Sequence, residues 1–94
     1  MPLGILTVHL QLPGSASLKE KRGRLKPLLI KLNRQFNLSA AEMDQLDAWD
    51  ESVIVCALVG NETVHVQRSL QQVTHWIETS WLDVEVMNDE IELL

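Results

Sequence analysis

The chain has 94 residues, 46% of them apolar and 22% charged, with a formal net charge of −5 and one cysteine. These values describe one soluble domain (residues 1–94) able to bury a core of its own, and they exclude a disulfide-stapled scaffold or a low-complexity protein. Met1-Pro2-Leu3-Gly4-Ile5-Leu6 lacks a basic signal-peptide segment, and polar residues interrupt its apolar stretch, so a cytoplasmic protein without a membrane span is expected.

Leu6, Val8, Leu10 and Leu12 alternate with Thr7, His9 and Gln11, the period of a half-buried strand. Pro13-Gly14 stops it. Ser17-Leu18-Lys19-Glu20 has capping-box spacing, which predicts a helix with Ser17 as N-cap. Leu18, Leu25, Leu28, Leu29, Leu32 and Phe36 form its core stripe. Pro27 conflicts with this helix, at a cost of about 3 kcal/mol, and predicts a kink between Gly23 and Pro27.

Asn37 to Met43 reads as a second strand at a sheet edge, and Asp44 to Glu51 as an acidic connection carrying Trp49. Val53 to Val59 is apolar on both faces, the pattern of a central, doubly covered strand, and it contains Cys56, expected to be a buried, reduced thiol. Gly60-Asn61 ends it. Val66, Leu70, Val73 and Ile77 predict a second helix, and Leu82 to Val86 a last strand. Ile91 and Leu93 then have the opposite parity to Val84 and Val86, which predicts a bulge or turn near Asn88-Asp89. The order β-α-β-β-α-β predicts a ferredoxin-like α+β sandwich, with strand order 4-1-3-2 and two helices on one face.

Charge is segregated along the chain. Lys19, Lys21, Arg22, Arg24, Lys26, Lys31 and Arg34, with Glu20, make a segment at +6; Arg68 and twelve carboxylates leave the remainder at −11. The topology brings the start of the first helix, the Asp44 to Glu51 connection and the end of the second helix to one rim. Cations there oppose the helix dipole and, with free backbone N–H groups, form an anion site. Either an external phosphate or the protein's own Asp44, Asp47, Asp50 and Glu51 can fill it.

The residues Leu12-Pro13-Gly14, Ser17-Leu18-Lys19-Glu20-Lys21-Arg22, Phe36-Asn37, Ala41-Glu42 and Asp47-x-Trp49 resemble the YlxP-like family of small bacterial proteins. Asn61, His65-Val66 and Asp83-Val84-Glu85-Val86 continue the resemblance across essentially the whole chain. It implies a ferredoxin-like domain of unassigned biochemical function. The family's genes often neighbour those for transcription–translation factors and ribosome maturation, which implies an RNA or ribosome role by association. Gln45 stands where the family commonly has a histidine.

No catalytic constellation accompanies this frame. His9, His65 and His75 lack metal-ligand spacing, and Cys56 has no cysteine partner, so neither metal nor cofactor is expected. Ser15, Ser17 and Ser39 lack a triad setting. Some ferredoxin-like proteins hydrolyse acyl phosphates with an Arg in the loop after the first strand; Pro13-Gly14-Ser15-Ala16 holds none. Base stacking on the sheet, as in RNA-recognition motifs, requires aromatics that the first and third strands lack.

The expectation is therefore a non-catalytic domain docking on ribosomal RNA or a ribonucleoprotein. Lys19, Lys21, Arg22, Arg24 and Lys26 would meet phosphates, with Asp47 and Trp49 as partner contacts. The alternative is a homo-oligomeric protein-interaction or small-ligand module, a homodimer among its forms, with no nucleic-acid role: its basic turn would meet an acidic surface, and self-association would cover the open sheet face or an edge strand.

Overall fold

The computed structural model describes residues 2–43 and 48–94. The elements run β1 (Leu3–Gln11), α1 (Leu18–Phe36), β2 (Ser39–Glu42), β3 (Glu51–Val59), α2 (Thr63–Ser80) and β4 (Glu85–Leu93). One antiparallel sheet has the order β2-β3-β1-β4, so the two most apolar strands are central, as the ferredoxin-like reading requires.

Alternation along β1 sets the two faces of the sheet. Leu6, Val8 and Leu10 are fully buried, and opposite them stand Cys56, Ile54 and Ser52 of β3. Leu25, Leu28 and Leu32 of α1 and Val66, Leu70, Val73 and Ile77 of α2 close over them as one core. Thr7, His9 and Gln11 point the other way, with Val55, Val53 and Glu51 beside them. The helices cover one face only, so β3 is central by pairing without being covered on both sides. Val55 and Ala57 on its outer face remain half-buried, and Val59 is exposed.

Local chemistry explains the ends of the elements. The Ser17 hydroxyl accepts from the Glu20 N–H at 3.0 Å, and the Glu20 carboxylate accepts from the Ala16 N–H at 3.1 Å, so the cap closes one residue further back than the usual box. At its other end α1 stops at Asn37 in the left-handed conformation (φ 52°), which Asn tolerates; the expected second strand therefore shortens to four residues. The Asn33 side-chain Oδ1 accepts from the Ala40 N–H at 2.9 Å, occupying a backbone donor of this edge strand.

The last strand departs most from expectation. It starts at Glu85 and continues through Asn88-Asp89 to Leu93, while Leu82 is exposed outside it. His9 faces Asn88 and Leu10 faces Val86, which leaves Met87 as the extra residue of a bulge. That one residue reconciles the two parities: Val86 opposes Leu10, and after the bulge Ile91 opposes Leu6 and Leu93 opposes Gly4, all on the helix side. Asp89 falls on that side too, where it accepts a 2.8 Å hydrogen bond from the buried Thr74 hydroxyl of α2.

Candidate functional site

The basic residues of α1 divide into two groups by helix phase. Lys21 lies four residues before Leu25 and seven before Leu28, in register with the buried stripe, and only 3% of it is exposed, whereas Leu18, expected in that stripe, is 37% exposed at the first turn. Its ammonium group donates to the carbonyls of Ala48 at 2.8 Å and Glu51 at 3.0 Å, and stands 3.7 Å from a Glu42 carboxylate oxygen. The Glu42 carboxylate also accepts from Ser52 at 2.9 Å. A charge at this depth is tolerable only with partners of this quality, and they offset its adverse position at the helix N-terminus. Lys21 therefore does not belong among the surface contacts; it fastens the first turn of α1 to the β2–β3 connection.

Arg24 is also engaged within the molecule. Its guanidinium meets the Asp83 carboxylate at 2.9 and 3.2 Å, the Asp83 carbonyl at 2.7 Å and the Pro13 carbonyl at 2.8 Å. The planar fork thus ties α1 to the turn before it and to the connection between α2 and β4. The rim that topology brings together is held by these two residues, one buried and one half-buried.

The other five cations, Lys19, Arg22, Lys26, Lys31 and Arg34, are exposed, and among the described residues no carboxylate lies within ion-pair distance of them. Trp49 is 57% exposed beside the Ala48 carbonyl that Lys21 holds. Asp47, the other expected partner contact, lies outside the described residues, as do Asp44 and Gln45. Trp76 and Trp81 belong to a half-buried aromatic group: Phe36 meets Trp76 edge-on at 5.9 Å, and Trp76 lies 5.9 Å from Trp81.

An open groove of about 700 Å³ runs along the outer side of α1. Gly23, Pro27, Ile30 and Trp81 supply its apolar surface, and Lys26, Lys31 and Arg34 its charges; no described carboxylate lines it. Gly and Pro inside a helix are unfavourable relative to Ala by about 1 and 3 kcal/mol. Here α1 runs unbroken across both. Both residues are exposed, and Pro27, having no N–H, cannot bond the Gly23 carbonyl. A Cβ added at Gly23 would meet nothing within 4 Å, so no neighbour requires the glycine. Ile30, 41% exposed on the same side, is likewise unexplained by the core.

Cys56 is fully buried on the helix side of β3, and burial pushes its thiol up to about 11, which keeps it protonated and unreactive. His9 is exposed on the open sheet face, opposite Val53 and Asn88. Among the described residues no three His, Cys, Asp or Glu side chains cluster as metal ligands, and no helix is long and apolar enough to cross a membrane.

The molecule is thus a ferredoxin-like α+β domain with one strongly basic outer helix. It belongs to the DUF503 family of proteins of unknown function, which it matches over residues 3–91. It is 34% identical over 65 residues to the uncharacterized protein YlxP of Bacillus subtilis (strain 168), spanning 69% of this chain and 71% of that one. Among solved structures it is similar to the de novo designed protein Foldit4, with a TM-score of 0.53 and 11% identity, covering 100% of this chain and 97% of that chain. A NIPSNAP family protein from Agrobacterium tumefaciens strain C58 gives a TM-score of 0.40 at 11% identity, over 97% and 90% of the two chains. The likeness to Foldit4 is one of fold alone.

Proposed function

We propose that this is a non-catalytic cytoplasmic domain that docks on RNA or a ribonucleoprotein through the outer face of α1. The observation that carries the reading is the cluster of five exposed cations, Lys19, Arg22, Lys26, Lys31 and Arg34, on one helix of an otherwise acidic chain. Phosphates are the partner such a row attracts at long range, while the −11 remainder repels nucleic acid in every other orientation. Docking is therefore oriented, with little sequence discrimination from the phosphate contacts themselves. Trp49, exposed beside the start of α1, adds an anchor at the edge of this surface.

The test is co-sedimentation with ribosomal subunits and binding to naked ribosomal RNA across a salt series. Five phosphate contacts predict a slope of log affinity against log salt of roughly −3.5 for a single strand. Reversing Lys19, Arg22 and Lys26 to Glu leaves both internal ties intact and should weaken binding at least roughly 100-fold, since several charge-assisted contacts become repulsive. Unchanged binding in that variant would overturn the reading.

A second reading has its own observation. Leu3, Ile5, Val55, Ala57 and Val59 form an apolar band on the open sheet face, with Glu90 and Glu92 along one side. Self-association there would respond little to salt and would survive the charge reversal, so sedimentation velocity on the same variant separates the two.

A further inference from the structure

We propose that the groove on α1 seats a single unstacked nucleobase, which makes the domain selective for single-stranded over duplex RNA. This rests on the RNA reading above and names the form of RNA that the site takes.

Three features of the groove coincide. The first is a gap in the side-chain layer at Gly23, where an added Cβ would meet nothing within 4 Å. No packing or backbone demand explains the glycine, and its effect is to leave a flat recess on a solvent-facing helix. The second is a hydrogen-bond acceptor. Pro27 stands four residues beyond Gly23 and has no N–H, so the Gly23 carbonyl lacks its usual helical donor between two groove-lining residues. The third is the surround: Ile30 and Trp81 continue the apolar surface, and Lys26, Lys31 and Arg34 frame it with no acid among the described lining residues.

A ligand matching all three has a flat apolar face, an in-plane N–H donor and anions on either side. A nucleotide within an RNA strand is such a ligand. Its base covers the recess, its amino or ring N–H takes the place of the donor that Pro27 lacks, and its flanking phosphates meet the cations. Lys26 and Arg34 are eight residues apart, about 12 Å along the axis, so phosphates before and after one base can be held together. In a duplex the base faces are stacked and the N–H groups paired, so only a splayed base can enter. An acyl chain offers no donor, and duplex RNA could use only the frame of cations.

The test uses the full chain and a labelled RNA of about 12 nucleotides, single-stranded or annealed to its complement, with affinities read by fluorescence anisotropy at about 0.1 M salt. The wild type should favour the single strand by roughly tenfold or more, the worth of one stacked base. Gly23→Leu fills the recess and leaves every cation in place. It should remove that preference, with single-strand affinity falling roughly tenfold and duplex affinity unchanged. Its thermal unfolding, at or above that of the wild type because Leu is the better helix former, verifies that the fold is intact. Equal affinity for both RNAs, unaltered by Gly23→Leu, would overturn the base seat while leaving phosphate docking standing. Binding of neither RNA would remove both proposals. If an acidic amphipathic peptide bound instead and was lost on Gly23→Leu, the occupant would be protein, and the nucleotide assignment would fall.

Discussion

Lys19 and Lys21 stand two positions apart in the first turn of α1, yet one is exposed and the other is 97% removed from solvent by the residues around it. Helix phase alone separates them. Lys21 points with Leu25 and Leu28 into the sandwich, where two carbonyls and Glu42 receive its ammonium group; Lys19 points away with Lys26. One basic run thus supplies two different materials. Its inner members, Lys21 and Arg24, are structural cross-ties, and its outer members are exposed. A charge count taken over the whole run overstates the docking surface and misses the cross-ties.

The comparison is broken most directly by removing the inner charge. Lys21→Met keeps the apolar stem but leaves two carbonyls without the ammonium donor and Glu42 without its cation; urea unfolding should show a loss of about 3 kcal/mol. Lys19→Met should stay within about 0.5 kcal/mol of the wild type. Equal effects at the two positions would mean that the division by phase has no energetic content.

A buried group without an ionic partner sharpens the contrast. The Cys56 thiol is raised from 9.0 to about 11 by burial, so it stays neutral where an unfolded chain would ionise. The folded pKa is the higher one, so its contribution is fully present below pH 9 and is lost as pH rises toward 11. Stability should fall by about 2–3 kcal/mol across that window, a slope that Cys56→Ala removes. In the same spirit, the native thiol should resist modification at pH 8 until the protein is unfolded.

Arg24 is expected to give a smaller effect, because its partner Asp83 is more than half exposed. Arg24→Ala should cost about 1 kcal/mol in urea unfolding, with the same loss for the double variant Arg24→Ala, Asp83→Ala if the pair acts as a unit.

Much of this arrangement was legible in the chain before folding was considered. The alternation from Leu6 to Leu12, the cap at Ser17 and the stripe through Leu25, Leu28 and Leu32 are local patterns, and each survives as an element boundary or a buried face. Even the burial of Lys21 had a local signal, since its position falls in that stripe, four residues before Leu25 and seven before Leu28. Its charge concealed the signal, because a lysine is assigned to the surface unless a partner is known, and its partners lie 21 to 30 residues away. The parity slip in the last strand announced a bulge near Asn88-Asp89; that Met87 is the extra residue depended on the pairing with His9 and Leu10. Pro27 announced a disturbed helix, but the exposure of both Pro27 and Gly23 is what lets α1 continue through it.

The sequence by itself determined the periodicities, and with them the β-α-β-β-α-β order, the antiparallel sandwich and the concentration of positive charge on its first helix. Those follow from near-neighbour sterics, capping and apolar spacing, which act within a few residues. Only the tertiary structure decided which cations are cross-ties and which are exposed, that Trp81 comes to lie beside Gly23 in the groove, and that the helices cover one sheet face only. Each of these is a meeting of groups far apart in the chain, and such meetings exist only once the helices have packed on the sheet.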